Sequence, residues 1–252
     1  MIAINKSDFS TSEMIDFLKD NVKNRVVWTL LAFQAGWINS GGFLATHRFV
    51  THITGFATQF GYDMSQLKFV DAISMLSVPM FFLAGTMISA YYVDRPIHLG
   101  KKPQFHILFF LISSFLIIVT GLGSFGGLGN FGQPMDIASS YVLIALLCLS
   151  SGIQNAGTTT ASNSFVRTTH LTGITTDLGI GLVRRLTQKK SEKRDHEARR
   201  NHVRLWLIAG FVLGSLLGSV LFMNFGFIGF IIPTFISIIL FCIAKKEHRR
   251  NA

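Results

Sequence analysis

The sequence predicts an all-α integral membrane protein: six transmembrane helices plus two broken, re-entrant segments, arranged as an inverted 3+3 repeat. Three observations predict it. The 252 residues are 49% hydrophobic, with 24 Phe and only 14% charged residues, where a soluble domain carries about 25% charge; mean hydropathy is +0.44. A polar pattern occurs twice, as Thr51-His52-x-Thr54-Gly55-x-x-Thr58-x-x-Gly61 and as Thr169-His170-x-Thr172-Gly173-x-x-Thr176-x-x-Gly179. Each copy follows a Gly-x-x-Asn, Gly36 with Asn39 and Gly152 with Asn155. Finally, 20 of the 23 Lys and Arg fall in a few segments between apolar runs.

The elements follow in order. Residues 1–24 form a polar leader in which Met14, Phe17, Leu18 and Val22 recur at helical spacing, as expected of a helix on the membrane surface. No cleavable signal peptide is expected, because the first apolar run starts near Val26 behind this leader, without a short apolar core and small-residue exit. Runs long enough for a crossing of roughly 20 residues lie at about 26–46, 69–92, 104–122, 137–157, 204–223 and 225–244. Pro79 and Pro233 fall inside the second and sixth runs, and each removes a backbone donor and should kink its helix. Gly210, Gly214 and Gly218 form a stripe that lets a neighbouring helix approach closely. Cys148 and Cys242 lie within apolar runs and read as packed thiols.

Charge orients the chain. Basic residues cluster in the leader, in the loop with Arg95, Lys101 and Lys102, in the linker 184–204 and in the tail 245–252, whereas the Gly-rich loop 123–136 has none. With both Thr/His segments treated as non-spanning, every basic-rich segment falls on one side, so both termini are expected in the cytoplasm of a plasma-membrane protein. The same distribution argues against nucleic acid as the partner of a chain with net charge +10. The duplication extends to Phe82-x-x-Gly85-x-x-x-Ser89 against Phe211-x-x-Gly214-x-x-x-Gly218. Repeat one therefore covers 25–122 and repeat two 137–244, and three spans per repeat turn the second copy upside down.

Hydroxyl-rich segments cannot face lipid with unpaired backbone, so they should line a cavity. Asn39, Thr54, Gly55, Thr58, Asn155, Thr172, Gly173 and Thr176 are the expected solute pathway. The competing reading makes the same small residues helix-packing glue. His52, His170 and Asp177 are candidates for proton coupling or gating; the alternatives are a neutral imidazole bonded to a carbonyl and an Asp paired with Arg184 or Arg185. No catalytic constellation is present, and no metal or other cofactor is expected.

These motifs, namely Gly36, Asn39, His52, Thr54, Gly55, Gly152, Asn155, Thr172, Gly173, Thr176 and Asp177, resemble the YoaK family of uncharacterised bacterial inner-membrane proteins over about residues 25–244. The resemblance implies a multi-pass protein of the plasma membrane and brings no residue roles with it. The expected function is a small-solute transporter or channel whose pathway runs between the two repeats, the partner being a small molecule or ion. The alternative is a non-transporting scaffold or sensor whose basic linker 184–204 binds anionic lipids; a homo-oligomer is left open.

Overall fold

A computed structural model describes residues 22–133, 137–189 and 192–250, and every regular element among them is helical. Most of the leader, including the helical spacing from Met14 to Leu18, lies outside the described residues, as does the end of the Gly-rich loop at 134–136. The helices are α1 (Val22–Thr46), α2 (Ile53–Ser65), α3 (Phe69–His98), α4 (Phe105–Ser124), α5 (Ile137–Ala161), α6 (Leu171–Thr187), α7 (Glu192–Phe225) and α8 (Ile231–Arg250).

Four helical runs are long and apolar enough to cross a membrane: Phe69–His98, Phe105–Ser124, Ala138–Ala161 and the 59 residues Glu192–Arg250, which comprise α7, a 3-10 turn at Gly226–Phe230, and α8. Their outward faces are apolar, with Leu83, Met87, Phe110, Ile117, Leu216, Val220 and Ile239 all more than half exposed. Such a belt suits lipid and would be a liability in water. Helix α1 has the length, at 25 residues, but Arg25, Gln34, Asn39 and Ser40 dilute its apolar run, and it is not among the four. At 1.5 Å per residue, α2 with 13 residues and α6 with 17 reach about 20 Å and about 26 Å, short of a hydrocarbon core of about 30 Å.

The prolines act differently from the expected mid-span kinks. Helix α3 is interrupted at Leu76, between the segments Phe69–Met75 and Ser77–Ser89. Pro79 has no N–H for the Met75 carbonyl and its ring crowds that oxygen, so the chain tightens one turn upstream, where the Leu76 N–H bonds the Ile73 carbonyl. Pro233 is the third residue of α8, just after the 3-10 turn at Gly226–Phe230, in the first turn of the helix, where a missing donor costs least.

Packing is reciprocal. Helix α1 lies chiefly against α7, α3 against α5, and α4 against α8. A Cβ on Gly36 of α1 would collide with the Phe211 carbonyl of α7, and one on Gly152 of α5 would collide with the Phe82 carbonyl of α3. Seen from the partner helices, Gly214 abuts the Phe33 carbonyl and Gly85 the Leu149 carbonyl. The stripe in α7 serves the purpose its spacing predicts, with Gly210, Gly214 and Gly218 resting on Thr29, Phe33 and Trp37. At the centre, Gln34 (α1) donates to Gln154 (α5) and to Ser237 (α8), each at 3.0 Å, and Gln154 donates to the Leu31 carbonyl at 2.8 Å.

The Gly-rich loop and the basic linker are both built into the fold. Leu128 of the Gly-rich loop is buried, and Phe131 packs on Phe222 and Phe227. Much of the basic linker 184–204 prolongs α6 and α7. Its Arg204 is buried and donates to Glu197 at 2.8 Å and Asn201 at 2.6 Å, while Arg184 stands 4.0 Å from Glu197. Residues 190–191 are outside the described part. Cys148 is buried, Cys242 is exposed, and both are free.

Substituting Gly36→Ala or Gly152→Ala forces two backbones apart, and overpacking of this kind costs about 1–3 kcal/mol. Each variant is expected to melt well below the parent in detergent, whereas Gly61→Ala, where a Cβ meets nothing within 4 Å, melts at or above it.

Candidate functional site

Each Thr/His motif begins in an elbow and continues as a helix. After α1 the chain passes His47 at φ 56, and after α5 it passes Asn163 at φ 49 and Ser164 at φ 65. These left-handed residues end the helices and turn the chain back. His52 and His170 then occupy the position just before α2 and α6, and neither helix start is capped by a side chain. The motif segments Thr54–Gly61 and Thr172–Gly179 are thus helical, and only the stretches leading to the two histidines are unwound.

An unwound stretch inside a protein must have its N–H groups satisfied. The asparagines of Gly-x-x-Asn do this. Asn39 Oδ1 accepts from the Thr51 N–H at 3.3 Å and from the Thr51 hydroxyl at 2.8 Å. Asn155 Oδ1 accepts from the Thr169 N–H at 3.5 Å. Within the second elbow the Ser162 hydroxyl accepts from the Val166 N–H at 2.7 Å, and Gln154 donates to the buried Thr168 hydroxyl at 3.1 Å. The spacing therefore has a physical logic: Gly admits the opposing helix, and Asn, one turn later, ties down the elbow.

The two elbows meet at one open cleft of about 570 Å³. Thr51, His52, Ile53 and Thr54 come from the first, and Arg167, Thr169 and His170 from the second; Asn155, Thr159 and Thr160 of α5 and Phe82 and Thr86 of α3 complete it. The two histidines are not equivalent. His52 Nε2 and the Thr54 hydroxyl share a hydrogen bond at 2.8 Å. The His170 ring folds over its own helix start, where an added Cβ on Gly173 would lie 2.5 Å from Nδ1; the corresponding distance from Gly55 to His52 is 3.9 Å.

Of the residues singled out from sequence, His52, Thr54, Asn155 and His170 come together here. Asn39 stands behind the elbow, and Gly55 and Gly173 lie beneath the histidines. Thr58 is exposed one turn further along α2. Thr172 and Thr176 are exposed on α6, where the Thr176 hydroxyl bonds the Thr172 carbonyl, and Asp177 is exposed beside them; none of these four lines the cleft. Sequence reasoning passed over Thr51 and Thr169, although each opens its motif. Arg167, which lies just before the second motif and whose charge could attract an anionic solute, also borders the cleft, whereas Arg48, which precedes the first, does not. Thr86, Thr159 and Thr160 carry no repeated signal that could have found them.

The asymmetry is testable. Gly173→Ala should displace the His170 ring and shift its side-chain resonances in histidine-labelled protein, while Gly55→Ala leaves those of His52 in place. Equal behaviour of the two variants would contradict the geometry described.

No curated protein and no solved structure matches the chain. A family model described as a protein of unknown function (DUF1275), the family that includes YoaK, matches residues 27–243. With a match across nearly all of its helical part, the chain belongs to the DUF1275 family.

Proposed function

We propose that the protein is a small-solute transporter or channel of the plasma membrane, and that the cleft between the two Thr/His elbows is its solute site. The observation that carries this reading is that His52 and His170, far apart in the chain, line the same cleft together with hydroxyls and an amide. Thr51, Thr54, Thr86, Thr159, Thr160 and Thr169 border this open space; four of their hydroxyls already bond protein groups and keep capacity for one further hydrogen bond. A cavity of a few hundred Å³ lined by apolar walls and a few converging polar groups is the usual form of a small-molecule site.

Two further elements belong to the proposal. The 59-residue run Glu192–Arg250 supplies two crossings of roughly 20 residues each, divided at Gly226–Phe230; with α1, α3, α4 and α5 this makes six spans. The reciprocal contacts of Gly36 with Phe211 and of Gly152 with Phe82 are those of two copies related by a two-fold axis in the membrane plane, as in inverted-repeat carriers. Both termini then lie in the cytoplasm, where the exposed arginines and lysines of α6 and α7 meet anionic headgroups. The scaffold reading is weaker, because Glu197 ties up Arg204 and lies near Arg184, and Glu192 and Asp195 offset neighbouring cations.

The test is osmotic swelling of vesicles containing the purified protein, challenged in turn with glycerol, urea, butyrate and phosphate. One of these should enter at least about tenfold faster than into protein-free vesicles. Thr54→Val combined with Thr169→Val should bring that rate near the protein-free value without loss of folded protein, since the pathway loses hydroxyls that replace solute hydration. Rates that ignore the double substitution would remove the cleft from the pathway.

A further inference from the structure

The cleft has a sign and a direction. Arg167 is the one residue with a fixed charge in its lining, and no carboxylate among the described residues faces it. The guanidinium is exposed and makes no ion pair or hydrogen bond within the described chain. Two uncapped helix starts, at His52 and His170, border the same space, and the free N–H groups of a helix start favour negative charge. An independent observation points to a ligand. Thr169 is 93% buried, with 7% of its surface exposed. Its N–H is satisfied by Asn155, but its hydroxyl has no protein partner and opens on the cleft. Its counterpart Thr51 spends its hydroxyl on Asn39. The hydroxyl is not among the buried polar atoms that lack a partner, so it is open to the cleft and able to donate to a molecule that enters it. The fixed positive charge and the unbonded hydroxyl thus lie on the second elbow. The opposite wall carries Ile53, Phe56, Ala57 and Phe82 beside Thr54 and Thr86, whose hydroxyls are engaged with His52 and the Leu83 carbonyl.

Resting on the solute-site reading above, we propose that the cleft binds a small monocarboxylate with an apolar body. Its carboxylate accepts hydrogen bonds from Arg167 and the Thr169 hydroxyl, and its hydrocarbon part lies against Phe56 and Phe82. A carboxylate supplies the acceptor pair that a guanidinium fork requires, and the apolar wall disfavours a bare, fully hydrated anion.

The experiment is calorimetric titration of the full chain in detergent at low ionic strength with four probes: butyrate, its neutral isostere butyramide, the cation butylamine, and inorganic phosphate. Butyrate should bind, and the other three should bind at least about tenfold more weakly, the factor expected when a hydrogen bond to a charged group is lost. Arg167→Gln should weaken butyrate by a similar factor, Arg167→Lys by less, and Thr169→Val should weaken it while the protein keeps its melting temperature. Butyramide or butylamine binding as well as butyrate would overturn the charge preference, phosphate binding more tightly would overturn the apolar-body requirement, and butyrate binding indifferent to Arg167→Gln would overturn the site. Absence of butyrate binding overturns the inference whatever the swelling assay gives. The swelling assay alone decides whether the cleft is a pathway, so the two failures are distinguishable.

Discussion

The fold depends on backbone meeting backbone. At Gly36 and Gly214 the helices α1 and α7 are so close that no side chain fits between them, and Gly152 and Gly85 do the same for α5 and α3. In a lipid environment the hydrophobic effect does not drive one helix onto another, and close van der Waals contact is the main force available. Small residues at these crossings are therefore a condition of assembly. They also set the position of everything downstream, because Asn39 and Asn155 stand one turn beyond Gly36 and Gly152 and hold the elbows that form the cleft.

Polarity in this structure is concentrated rather than spread. Outward faces of α3, α4, α7 and α8 carry large apolar side chains. Inside, Gln34, Gln154, Ser237 and Thr168 are all buried and joined by hydrogen bonds. A hydrogen-bonded amide pair in such surroundings fixes which helices meet and at what height, because breaking its bonds is expensive, although the Gln34 Oε1 acceptor is buried without a partner among the described residues. The pair also connects α1, α5 and α8 to the second elbow through Thr168, so the cleft is anchored to the centre of the helical bundle. The second elbow is the more heavily bonded of the two, and it also carries the groups left without partners, Arg167 and the Thr169 hydroxyl. Rigid backbone with unsatisfied side chains is how a site is held ready for a ligand.

Much of this was legible in the chain. The membrane class follows from composition, because too few charges exist to clothe a soluble surface. The approximate helix positions follow from the length of the apolar runs; the last two runs, however, extend back to Glu192 because polar residues there pair along the helix, as Glu197 does with Arg204. The close crossing of α7 follows from the step of four between its glycines. The repeated Thr-His pattern pointed to the segments that form the cleft, but not to which of their residues line it. A helix turns about 100° per residue, and nothing local tells which face of α2 or α6 borders a cavity; Thr58, Thr172 and Thr176 fall outside it for that reason. Arg167 carries no repeated pattern, and the first elbow that shares its cleft lies 113 to 116 residues away in the chain.

By itself, then, the amino-acid sequence determined which stretches prefer oil to water, where helices must stop, and that two stretches share one design, because these are properties of residues taken with their near neighbours. Tertiary structure alone decided that the two elbows share a cleft, that His170 bends over Gly173 while His52 bonds Thr54, and that one threonine hydroxyl is spent and its twin is free. The shared cleft joins segments more than a hundred residues apart in the chain, and the local contacts depend on how each elbow is held by the helices packed around it.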